Sequence, residues 1–153
     1  MLSIVLSVLL LASPQESTFK KERAQLQEAV DTLVTSTGAQ VLYRSRAAYL
    51  EGYGVVVSLE VAFEGPQNPF SGFKPPKEIQ ALIAQRRKDV QEKMSTLLKQ
   101  RVATMDSIGA TESLTVIIHV LNANPADVPN LPVQILMTAK KDSPQQPVAV
   151  RDF

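Results

Sequence analysis

The chain contains no cysteine and only one histidine, His119, among its 153 residues. The absence of cysteine excludes thiol nucleophiles, Cys-ligated zinc and iron–sulfur clusters, and it leaves only carboxylates to complete a metal site around His119. The motifs of serine hydrolases, zinc metalloproteases, Walker loops and dinucleotide-binding folds are also missing. We therefore predict no catalytic residue, no metal site and no cofactor, which favours a non-enzymatic protein.

A strong charge of either sign is missing as well. The sequence has 16 Lys and Arg against 15 Asp and Glu, so its formal net charge is +1. Binding of nucleic acid through counterion release normally needs a large basic field, so we expect no nucleic-acid partner. Hydrophobic residues make up 44% of the chain and charged residues 20%, which is typical of one globular domain with one packed core.

The chain begins with an apolar run. Residues 2–12 are apolar except for Ser3 and Ser7, a length that suits the core of a signal peptide and falls short of the roughly 20 residues that span a bilayer. We predict that residues 1–17 are a signal peptide, that the protein is exported to the periplasm or secreted, and that no integral membrane span remains after cleavage. No Lys or Arg precedes the run, so a membrane tether formed by an uncleaved signal and a buried N-terminal element are the alternatives.

Residues 18–153 are expected to form a single domain, in which a Pro/Gly-rich loop at 64–76 separates two blocks of regular structure. Helical spacing predicts a first helix over residues 18–37, with Ser17 or Thr18 as its N-cap and Gly38 after its end. Period-two alternation then predicts a strand over residues 55–63.

Two glycines suggest how that strand begins. Gly52 and Gly54 flank Tyr53, and they favour a hairpin with an earlier strand near residues 41–49, the alternative being a glycine bulge in one long strand.

Beyond the 64–76 loop, apolar residues at helical spacing predict a helix of about 29 residues, or about 43 Å. Strands follow over residues 114–121 and 133–140, and Val148 with Val150 indicates a short edge strand. The element order is α-β-β-α-β-β with this additional edge. The sequence therefore predicts an α+β fold: an antiparallel or mixed sheet of four to five strands with two helices, one of them long, packed on one face.

Five residues are candidates for interaction with a partner. Phe70 and Phe73 lie among prolines in the 64–76 loop, where aromatic side chains either anchor a partner or fill the end of the core. Tyr53 offers a ring beside two glycines, or simply belongs to the turn. Arg86 and Arg87 on the long helix can face anionic lipid or an acidic protein, or they belong to a solvated helix face.

The leading hypothesis is an exported, non-enzymatic module that binds another protein or an envelope component through the 64–76 loop and the long helix. The alternative is a small-molecule or lipid carrier with an apolar cavity between sheet and helices. A hydrolase with a carboxylate pair is a third hypothesis, in which Glu51 and Glu60 would need to approach within about 5–9 Å. His119, in mid-strand, is expected to be a structural or solvent-facing residue.

Export is tested by mass spectrometry of the N-terminus in protein recovered from fractionated cells. We expect the first residue to lie between Ser13 and Thr18, in the envelope or the medium. An intact Met1 in the cytosolic fraction would contradict the prediction.

Overall fold

The computed structural model describes residues 14–65, 72 and 74–153 as two helices and a five-stranded mixed sheet, which confirms the predicted α+β class and element order. The elements in chain order are α1 (Pro14–Ser36), β1 (Gln40–Leu50), β2 (Gly54–Ala62), α2 (Pro76–Thr104), β3 (Ser113–Val120), β4 (Gln134–Lys140) and β5 (Ala149–Asp152). The predicted signal peptide lies mostly outside the described residues, as does much of the 64–76 loop.

The five strands lie in the sheet in their chain order. β1 and β2 form the predicted antiparallel hairpin, and β3, β4 and β5 are also antiparallel neighbours. β2 and β3 are parallel, from the pair Gly54 and Ser113 to the pair Val61 and Val120. A parallel pair needs a long crossover connection, which here contains the 29 residues of α2.

Alternation along the strands collects apolar side chains on one face of the sheet. The register places Val57, Val116 and Met137 in one row, and none of them is exposed. Both helices cover this face, because their buried residues join the strand residues in one core. The helix residues of the core that are at most 2% exposed are Leu26, Val30, Val34, Ile83, Val90, Met94, Leu98 and Val102.

Two of the helix ends agree with the sequence prediction. Gly38 follows α1 with φ +82°, and α2 begins at Pro76, a residue suited to a first helical turn. α1 differs at its start, because it begins at Pro14, and the hydroxyls of Ser17 and Thr18 donate to the Pro14 carbonyl oxygen at 2.9 and 3.0 Å. The two hydroxyls therefore lie inside the first turns of the helix and do not cap it.

β1 is longer than its partner, with 11 residues against the nine of β2, and its pairing is irregular on both sides of Tyr43. Ser45 lies at the second irregularity and turns its backbone toward α1. Its N–H donates to Asp31 Oδ1 at 3.0 Å, and its carbonyl accepts from Gln27 Nε2 at 2.5 Å. The helix thus satisfies backbone groups that the bulge removes from the ladder.

Within the part of the chain that the structure describes, no helix is both long enough and apolar enough to cross a membrane. The apolar run at residues 2–12 lies outside the described residues, so its role as a signal peptide or tether stays a prediction.

The turn between β1 and β2 provides a matched pair of glycine substitutions. Both glycines have positive φ, +77° at Gly52 and +113° at Gly54, but a Cβ on Gly54 would lie 2.1 Å from the Ser113 carbonyl oxygen, whereas Gly52 has no atom within 4 Å of that position. We expect Gly52→Ala to lower the unfolding free energy by about 1 kcal/mol through backbone strain. Gly54→Ala should cost about 1–3 kcal/mol more, because β2 and β3 must also separate locally. Urea unfolding of the two variants measures this, and equal midpoints would contradict it.

Candidate functional site

The sheet face opposite the helices, which we call the open face, is the candidate site. Cross-strand pairing places side chains of all five strands on it, in rows that run from β1 to β5. Since neighbouring strands are about 4.8 Å apart, each row is about 19 Å wide. Neither helix packs on this face.

One row of the open face ends in an arginine on each side. Arg46 pairs with Ser58, Ser58 with Ile117, Ile117 with Leu136, and Leu136 with Arg151. Both arginines are exposed, and neither forms an ion pair with a residue that the structure describes. Their guanidinium groups are therefore available to an external group.

The next row ends in an aromatic side chain on each side. It runs from Tyr43 through Glu60 and His119 to Gln134, whose backbone bonds to Phe153 with an N–O distance of 2.9 Å. Tyr43 is 69% exposed and Phe153 61% exposed. Each edge of the sheet thus presents an arginine and an aromatic residue in adjacent rows.

Tyr53 covers part of the open face beyond these two rows. The Tyr53 hydroxyl lies 3.1 Å from Thr115 Oγ1, which lies 3.0 Å from Thr138 Oγ1. Thr115 is only 1% exposed as a result, while Tyr53 itself remains 46% exposed. This position brings one predicted interaction residue, Tyr53, onto the same face as the two arginines.

A hollow of about 360 Å³ lies on the β1 side of the open face. Its lining combines basic, aromatic, acidic and hydroxyl side chains, namely Tyr43, Arg44, Arg46, Ser58, Leu59, Glu60 and His119. The volume suits part of a ligand or one side chain of a partner better than an entire enclosed small molecule. His119 is exposed here, as a solvent-facing strand residue.

The geometry does not assemble a carboxylate pair from Glu51 and Glu60. Glu51 lies in the turn after β1, and Glu60 lies six residues beyond Gly54 at the other end of β2. At 3.3 Å per residue, that separation is about 20 Å, more than twice what a glycosidase pair needs. Among the described residues, no group of three or more His, Asp or Glu side chains is arranged to hold a metal ion.

A buried carboxylate that the sequence analysis missed holds the hairpin turn in place. Glu112 is 8% exposed and accepts hydrogen bonds from the Tyr49 hydroxyl at 2.8 Å, from Gly52 N–H at 3.1 Å and from Gly109 N–H at 2.7 Å. Three of the roughly four acceptor positions of this carboxylate are occupied by the protein itself, so we assign it a structural role. We call Tyr49, Gly52, Gly109 and Glu112 the Glu112 clasp; it fixes the turn that carries Tyr53.

The two arginines predicted as interaction residues on the long helix bond within the protein. Arg86 donates from Nη1 to the carbonyl oxygens of Phe63, at 2.9 Å, and Glu64, at 2.5 Å, and so ties α2 to the chain that leaves β2. Arg87 forms an ion pair with Asp152 of β5. Phe70 and Phe73 lie outside the described residues.

The chain matches no protein-family model, no curated protein and no solved structure. The chemistry of the open face must therefore be inferred from its own residues. These are two exposed arginines, exposed aromatic rings at both edges, and half-buried Ile117 and Leu136 between them.

The Glu112 clasp makes a prediction about pH. Burial, followed by the hydrogen bond to Glu112 and its negative charge, raises the pKa of Tyr49 to about 12 from its ordinary value of 10. Because the fold favours the protonated phenol, this contribution to stability is complete below pH 10 and is lost as the pH rises from about 10 to about 12. Urea unfolding across that range should show a steeper loss of stability in the wild type than in Tyr49→Phe.

Tyr43→Phe is the matched control for that experiment, because Tyr43 is highly exposed. Its stability profile should follow that of the wild type. Parallel profiles for the wild type and Tyr49→Phe would show that the clasp does not shift the pKa of Tyr49.

Proposed function

We propose that this protein is an exported, non-enzymatic binding module that docks another protein or an envelope component on the open face of its sheet. The observation that carries the proposal is the one-sided sheet: two helices bury one face, while the other presents paired arginine and aromatic residues at both edges. Export rests on the apolar run at residues 2–12.

The residue types of the open face support binding. Tyrosine, phenylalanine and arginine are enriched in protein interfaces, and tyrosine and arginine often carry most of the binding energy. In the isolated protein, most of the surface of Tyr43 and Phe153 is in contact with water. A partner that covers these rings would bury a large part of their apolar surface, which favours binding. A partner on this face would also contact Tyr53, which the Glu112 clasp holds in position.

The 64–76 loop remains part of this proposal through its attachment point. The loop follows Ala62, at the end of β2 next to Glu60 and the aromatic row. Phe70 and Phe73 are therefore connected by a short stretch of chain to the same end of the sheet. The long helix is not included through Arg86 and Arg87, because their side chains bond to the 64–76 loop and to β5.

The carrier hypothesis has less support. A cavity for lipid would need unfilled space between sheet and helices, but Val30, Met94, Leu98, Val116 and Met137 meet there with none of their surface exposed. Dense packing of this kind leaves little room for a ligand unless the helices move away from the sheet.

Site-specific photo-crosslinking tests the proposal. A photoreactive amino acid at Ser58 reports on the open face, and one at Thr96, exposed on α2, reports on the helix side. We expect adducts from position 58 in cells that express the protein, and a loss of at least fivefold in those adducts when Tyr43→Ala and Phe153→Ala are combined.

Val150→Ala is the control for lost apolar surface, because Val150 is exposed but pairs with Met137 on the helix side of the sheet. It should leave the adducts from position 58 unchanged. Adducts of equal yield from positions 58 and 96, or none from position 58, would refute docking on the open face. Phe70→Ala and Phe73→Ala, added to the Tyr43→Ala, Phe153→Ala variant, test the 64–76 loop. These two substitutions should reduce the yield of adducts from position 58 further.

A further inference from the structure

We propose that the occupant of the open face is a single acidic amphipathic helix of a partner protein, with Asp or Glu on both flanks of its apolar stripe. This inference rests on the proposed function and specifies its partner. It follows from the charge, the size and the arrangement of the open face.

The charge of the open face favours an acidic partner. Among the side chains that the strand pairing places on it, three are basic, Arg46, Lys140 and Arg151, and one is acidic, Glu60. The face therefore carries a net charge of +2, although the entire chain carries only +1. Arginine also binds carboxylates in a bidentate geometry, which adds direction to the attraction.

The size of the open face accommodates one helix. The sheet is about 19 Å wide, and the eight residues of β3 extend about 26 Å, so the face offers on the order of 500 Å². A helix is about 10 Å wide, and one laid along the central strand would pass over Ile117 and contact the ring of Tyr53, which covers Thr115.

The arrangement specifies where the acidic residues of that helix must lie. β3 is the central strand, and Ile117 on β3 with Leu136 on β4 would contact the apolar stripe of a helix laid along it. Arg46 on β1 and Arg151 on β5 are each two strands away, about 10 Å from the middle, and they belong to the same row. They would flank the helix on both sides at one level.

Single-stranded nucleic acid fits the open face less well, although proteins that bind it also combine aromatic and basic residues. A nucleic-acid strand follows a continuous basic path along stacked rings. Here Glu60 lies between Tyr43 and His119 in the aromatic row, where its carboxylate would repel phosphate groups.

The test uses the full chain and a synthetic 18-residue peptide with leucines at helical spacing and glutamates on both flanks. A second peptide has lysine in place of every glutamate. Fluorescence anisotropy measures affinity, and amide chemical shifts in NMR spectra locate the binding site. We expect the acidic peptide to bind at least tenfold more tightly than the basic one, with shift changes at Ile117 and Leu136.

Charge reversal supplies the decisive variant. Arg46→Glu combined with Arg151→Glu should lower the affinity for the acidic peptide at least tenfold and raise the affinity for the basic peptide. Lys20→Glu combined with Lys88→Glu makes the same charge change on the helices, where both lysines are exposed, and should change either affinity less than twofold.

The outcomes separate this inference from the proposed function. Equal affinity for both peptides, or chemical-shift changes confined to the helix side of the sheet, would overturn the proposal that the partner is an acidic helix. So would tighter binding of an oligothymidine, or nuclear Overhauser contacts between residues 2–11 and Ile117, which would show that the chain covers its own face. If open-face adducts persist in cells but the acidic peptide does not bind, the binding module stands and its partner is of another chemistry.

Discussion

Parallel pairing of β2 with β3 is the constraint on which the rest of this structure depends, because neighbouring parallel strands cannot be joined by a tight turn. The chain must return along the sheet, and α2 does so over 29 residues. A helix that crosses a sheet buries its apolar side against one face, and α1 packs beside it on that same face through the bulge at Ser45. With α2 on one face through its crossover and α1 packed beside it, the other face of the sheet remains open.

Polar groups in this protein divide into those that close the fold and those that remain exposed. Glu112 binds the hairpin turn, Arg86 binds the chain after β2, and the Glu22 carboxylate accepts from the N–H groups of Asp106 and Ser107 at 2.9 and 3.3 Å. Each of these side chains satisfies backbone groups of loops that the core cannot reach. Arg46 and Arg151 form no ion pair with the described chain, whereas Arg86 and Arg87 on the long helix bond within the protein. This difference makes the open face the better candidate for recognition.

Local patterns explain why the fold class was predictable. The apolar residues that alternate along residues 55–63 and 114–120 lie on the buried face of the sheet. The apolar residues at helical spacing over residues 77–105 lie on the buried side of α2. Tyr53 is a candidate in the sequence because it lies between two glycines, and its side chain does lie on the open face. The same kind of evidence was ambiguous for Arg86 and Arg87, because a basic helix residue has the same local pattern whether it binds a loop, a strand or a partner.

The sequence by itself predicted the element order, and which side chains share a face in the regularly alternating strands, because those properties depend on residues that are close along the chain. Only the tertiary structure decided which strands are neighbours and in what register. Arg46 and Arg151 are more than a hundred positions apart, and they share a row only because the bulges of β1, the parallel pair and the β5 edge combine to align them. The Glu112 clasp joins residues separated by about sixty positions for the same reason. Long-range pairing is chosen by the packing of the entire core, which no local pattern of residues records.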